Sequence, residues 1–75
     1  MNNEQPIPND IFRDGVNKLV NQWFRRWRDA RLAEQSDWDI CISELTEIGH
    51  EFPYKLIAEI GAALVAELER RNPKP

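Results

Sequence analysis

From Phe12 to Ala30, apolar side chains recur every three or four positions: Phe12, Val16, Leu19, Val20, Trp23, Phe24, Trp27 and Ala30. At 3.6 residues per turn they fall within an arc of about 140° on one helix. That period excludes a strand here, and so wide a stripe needs two neighbouring helices to cover it. The helix is expected to start at Asn9 or Asp10, either of which can cap its first amides, and to run to about Ala33. Gly15 lies inside the stripe and should weaken the first turns.

Two more helical patterns follow. Ser36, with Asp39 three residues later, reads as a capping box opening a second helix. Trp38, Cys41, Ile42, Leu45 and Ile48 would form its apolar face, and Gly49 its left-handed stop. Ile40 falls off that face, among Asp39, Ser43, Glu44 and Glu47. The third helix is expected from Pro53 or Tyr54 to about Arg71, with Pro73 ending it. Its face would be Tyr54, Ile57, Ile60, Gly61, Leu64, Val65 and Leu68, where Gly61 would admit a second backbone closely. No segment alternates as a strand does. The expected fold is therefore all-α: a small domain of long, short and medium helices, a bundle that dimerises.

Seventy-five residues leave room for one core. The expected layout is a flexible tail over 1–9, held extended by Pro6 and Pro8, a single domain over 10–72, and a short tail over 73–75. Cys41 is the only cysteine, so no disulfide can staple the monomer, and a reducing compartment is expected. The amino terminus has neither the basic region nor the apolar run of a secretory signal. No stretch approaches the roughly 18 apolar residues of a membrane span. These observations point to a cytoplasmic protein, with oligomerisation the remaining way to reinforce a modest core.

Charge is lopsided. Residues 11–35 hold six basic and three acidic side chains, and residues 36–75 hold four basic and eight acidic ones. The stretch WFRRWRDAR, from Trp23 to Arg31, poses the sharpest question: its rings and cations would suit an anionic partner. The helical wheel separates them, however. Trp23, Phe24 and Trp27 share the apolar arc, Arg25 and Arg28 point away beside Lys18, and Arg26 and Arg31 flank the stripe. Single-stranded nucleic acid needs exposed rings beside its cations, so the rings here belong to a core. Contact with phosphates alone, through Arg25, Arg28, Lys18 and Arg31, stays as the alternative.

The parts of an active site are missing. His50 is the only histidine and has no companion ligands at metal spacing, so neither a metal nor a cofactor is expected. Cys41 sits mid-face as a small core residue rather than a nucleophile. The three glycines are scattered, so no phosphate loop forms. The carboxylates at Asp37, Asp39, Glu44 and Glu47 look like helix-start and solvent residues.

Binding to another protein is then the expected function, as an adaptor, regulator or inhibitor. The Lys18, Arg25, Arg28 and Arg31 face would meet an acidic partner surface. Trp27 and Trp38 are candidate contacts because the chain has more ring surface than a small core needs; off-face Ile40 is another. Ala58, Ala62 and Ala66, four apart on the third helix, would let two helices pack closely. The expected homodimer pairs two first helices antiparallel, each roughly 36 Å long and overhanging its neighbours. A nucleic-acid-associated regulator using the same arginines is the second expectation.

Overall fold

The computed structural model describes residues 5–72 as three helices and, among those residues, no strand. Helix α1 covers residues 9–28 in consecutive stretches: α-helical Asn9–Val16, π-helical Asn17–Phe24, and α-helical Arg25–Arg28. Helix α2 is Gln35–Glu51 and helix α3 is Lys55–Arg71. Of the expected tails, residues 1–4 and 73–75, with Pro73, lie outside the described residues; Ile7 packs against the core.

The π-helical stretch decides which side of α1 is buried. Gly15, Leu19, Trp23 and Trp27 go inward, strictly four apart. In a regular α-helix positions four apart drift by about 40° per step, which would carry Trp27 away from the face Gly15 occupies. The i→i+5 bonding of a π-helix widens the turn and removes much of that drift. The sequence pattern assumed the regular period, and it placed Phe12 and Val20 in the core. They stand 38% and 36% exposed instead.

Helix α1 ends at Arg28 rather than near Ala33. The chain turns at Asp29 (φ −99°, ψ −5°), and the Ala30 amide donates to the Trp27 carbonyl at 3.1 Å. The turn lets Leu32 enter the core, and the Leu32 amide donates to Asn72 Oδ1 at 3.1 Å. Asn72 in turn donates through Nδ2 to the Leu68 carbonyl. One side chain thus ties the first connection to the end of α3. As a result α1 is less than one turn longer than α2 or α3 and does not overhang them as expected.

The other boundaries also shift. Pro8, not Asn9 or Asp10, occupies the cap position of α1. At α2 the box moves two residues back: the Glu34 amide donates to Asp37 Oδ2 at 3.2 Å. Ser36 is inside the helix, and Asp39 accepts from Gln35 Nε2 instead. Gly49 does not stop α2, for no described glycine has positive φ. The stop comes at Phe52 (φ −123°, ψ 75°), where the following Pro53 disfavours helical geometry. Tyr54 (φ −120°, ψ 141°) precedes α3, so neither it nor Pro53 is the first helical residue.

The core consists of Leu19, Trp23, Trp27, Leu32, Trp38, Cys41, Ile48, Ile57 and Leu68. Ile42, expected there, is 40% exposed. Gly15 earns its place by contact rather than conformation. A Cβ at that position would lie 2.7 Å from Ile57 Cδ1, so any other residue there would have to push the end of that side chain aside. Gly61 faces the side chain of Leu45, where a Cβ would meet Cδ1 at 3.0 Å; a side chain, not a backbone, fills that space.

Candidate interaction surfaces

The α1–α2 seam joins the tryptophans to the acidic helix. Trp23 Nε1 donates to the Cys41 carbonyl at 3.0 Å. Trp27 Nε1 donates to Glu44 Oε1 at 2.8 Å, and Arg26 Nη1 to Glu44 Oε2 at 2.7 Å. The Arg26 guanidinium also lies 5.1 Å from the centroid of the Trp27 ring. About two turns further along α2, Lys18 Nζ donates to Glu51 Oε1 at 2.9 Å. A hollow of about 460 Å³ opens between these pairs. Its charges largely close on each other, which makes it a seam within the monomer rather than a receptor.

Glu44 carries more of this arrangement than its sequence context suggested. It looked like a solvent residue, yet it accepts from two groups on α1. We expect Glu44→Ala to cost about 1–3 kcal/mol, because a part-buried indole N–H loses its acceptor. Glu44→Gln keeps an amide oxygen for the indole and should cost under about 1 kcal/mol. Urea unfolding of both variants checks this; equal losses would mean that the indole bond contributes nothing.

Cys41 and His50 do not form a pair. They lie nine positions apart, about 13.5 Å along α2; Cys41 is fully buried and His50 exposed. Burial pushes the Cys41 thiol up to about 11, the Glu44 charge adds to this, and Arg26 opposes it. Among the described residues no group of three or more His, Cys, Asp or Glu is placed to hold a metal ion. No helix there is long and apolar enough to cross a membrane.

The expected contact residues divide. Trp27 and Trp38 are buried in the monomer. Lys18, paired with Glu51, is drawn to the α2 side, away from the arginines. Arg25 and Arg31 are exposed and have no ion pair among the described residues, while Arg28 lies 3.6 Å from its neighbour Asp29. Glu67 holds the arginines at the end of α3. Hydrogen bonds from Arg71 and Arg70 keep its carboxyl below the usual range. Ile40 is 50% exposed and stands alone.

The alanine stripe gains a context the sequence did not reveal. Ala58 and Ala62 form one wall of an apolar groove of about 340 Å³, with Leu45, Thr46, Gly49 and His50 opposite and Leu19 and Ile57 beneath. Ala66 is half-buried and does not line it. The signal was present in part. Leu45, Thr46 and Gly49 on α2 repeat the three-and-four spacing of Ala58, Gly61 and Ala62 on α3. Only the pairing of α2 with α3 shows that the two sets face a common space. Comparison with protein-family models, with curated proteins and with solved structures finds no match.

Proposed function

We propose that this chain is a non-enzymatic protein-binding module, an adaptor, regulator or inhibitor, that receives an apolar helix of a partner protein in the α2–α3 groove. The observation that carries this reading is the lining. Small residues, Gly49 on one wall and Ala58 and Ala62 on the other, stand over the Leu19 and Ile57 side chains. Small walls admit a helix closely, and an apolar floor supplies the gain from burial.

Selection from a displayed library of helical peptides tests it. The wild-type chain should enrich peptides with apolar residues at i, i+3, i+4 and i+7. Ala62→Glu, which adds a charge at an exposed wall position, should fold normally and lose them. Enrichment of the same peptides by both proteins, or of none by the wild type, would overturn the reading.

A second reading rests on Arg25 and Arg31, two exposed guanidinium groups without ion pairs among the described residues. With Arg28 they suit a phosphate backbone. The net charge of −3 opposes a general affinity for nucleic acid. Phosphate binding would weaken steeply with salt and with Arg25→Ala and Arg28→Ala, whereas groove binding would respond to neither.

A further inference from the structure

Helices α2 and α3, joined by residues 52–54, run antiparallel: Leu45, six residues before the end of α2, meets Gly61, six residues after the start of α3. Positions further from the turn on either helix therefore lie towards one end of the α2–α3 groove. Seven residues make close to two helical turns, so they return to the same face about 10.5 Å away. Seven before Thr46 on one wall is Asp39, and seven after Ala62 on the other is Glu69. Between them come Ile42, 40% exposed, on α2 and the half-buried Val65 and Ala66 on α3. The apolar surface of the groove thus continues away from the turn and leads to one carboxylate from each helix.

Both carboxylates are exposed. Asp39 accepts from the uncharged Gln35 Nε2, and neither it nor Glu69 has an ion pair among the described residues. The cations at this end do not neutralise them. Arg70 and Arg71 both bind Glu67, and Arg31, in the connection that Leu32 ties to Asn72, pairs with neither. Residues 30–40 and 66–72 together hold five acidic and three basic side chains. The turn end of the groove differs. His50 lines its wall, and Lys55 and Glu59, of opposite sign, stand outside Ala58 on α3. Glu47 and Glu51 line the α1–α2 hollow instead.

A helix that fills the groove and extends over Ile42 has its next turn above Asp39 and Glu69. A lysine or arginine in that turn can lay its stem on Ile42 and hold its charge between the two carboxylates. An acidic side chain there would be repelled. We propose that the occupant of the groove is a partner-protein helix that is cationic at one end, with apolar residues at i, i+3, i+4 and i+7 and lysine or arginine in the turn beyond them, over Asp39 and Glu69. This rests on the groove reading above and adds the charge of the partner and the end that carries it.

Helical peptides with leucine at i, i+3, i+4 and i+7 test it. Two lysines or two glutamates are placed in the turn beyond, at the amino end in one pair of peptides and at the carboxyl end in another. Binding is read by fluorescence anisotropy at low salt, where exposed charges are least screened. In one of the two pairs the lysine peptide should bind about tenfold more tightly than its glutamate counterpart, and high salt should shrink the difference. Asp39→Lys combined with Glu69→Lys should reverse the preference with unchanged circular dichroism. Asp39→Asn combined with Glu69→Gln should abolish it, and decides the matter should the reversed variant fail to fold. Equal binding of lysine and glutamate peptides, with loss of both on Ala62→Glu, overturns the inference and leaves the groove reading standing. A lysine preference that survives both double variants also overturns it. Binding of no peptide, or binding indifferent to Ala62→Glu, overturns the groove reading and the inference with it. Self-association of the wild type that Ala62→Glu abolishes would make a second copy the occupant and overturn the inference.

Discussion

Trp23→Ala is expected to leave the chain largely unfolded at room temperature. Trp23 is the central ring of the α1 stripe and almost wholly buried, and its Nε1 donates to the Cys41 carbonyl across the α1–α2 seam. Emptying such a site costs about 3–5 kcal/mol. A domain of this length has roughly 4–11 kcal/mol in total, at the usual stability per residue. The loss is therefore most of what a marginal fold holds. Trp23→Phe retains much of the ring volume and should stay folded with lower stability. Far-UV circular dichroism with urea titration measures both. A cooperative Trp23→Ala transition within about 1 kcal/mol of the wild type would show that the ring is not a packing centre.

The native Cys41 thiol should be nearly inert. Raising its pKa from 9.0 to about 11 lowers the thiolate fraction at pH 8 by about a hundredfold, and burial slows reagent access further. Iodoacetamide should modify the folded chain at least that much more slowly than the urea-unfolded chain; comparable rates would place the thiol outside the core. The same shift has a consequence for stability. The folded state holds the thiol proton more tightly than the unfolded state. Its contribution is therefore complete below about pH 9 and is lost as pH rises towards 11. The loss is about 2–3 kcal/mol at most. The stability difference between the wild type and Cys41→Ala should shrink across that window. A constant difference would mean that Cys41 does not titrate differently on folding.

These two residues also show how much could be read in advance. Trp23 and Cys41 were placed in the core by period alone, because a large or soft apolar group at helical spacing has few other places to go. Trp27, Trp38, Leu19, Ile57 and Leu68 follow the same rule. Glu44, Glu34 and Asn72 were not legible, because each acts on a group remote in sequence or at a boundary whose position depends on packing. The α2–α3 groove lay between: Ala58 and Ala62 were visible as a stripe, and their opposite wall was not. The arginines were legible as exposed. Their separation from Lys18 was not, because it depends on Glu51 at the end of α2, a residue remote in sequence.

By itself the sequence determined the class of fold: three amphipathic helices, the aromatic stripe that buries them, and the lack of a metal-ligand or phosphate-loop pattern. Apolar period and proline positions are local properties, and they specify helices wherever neighbours exist to cover them. The tertiary structure decided the helix ends, the π-helical register of α1 and the surfaces left over. Leu32 enters the core where the chain turns after Arg28, with its amide bonded to Asn72 at the far end of the chain, and Gly15 is read as a contact position through Ile57, forty-two residues on. Phe12 and Val20 face outward because aligning Leu19, Trp23 and Trp27 inward rotates them away. Burial is shared between segments, so a residue's exposure belongs to the packed arrangement rather than to its own stretch of chain.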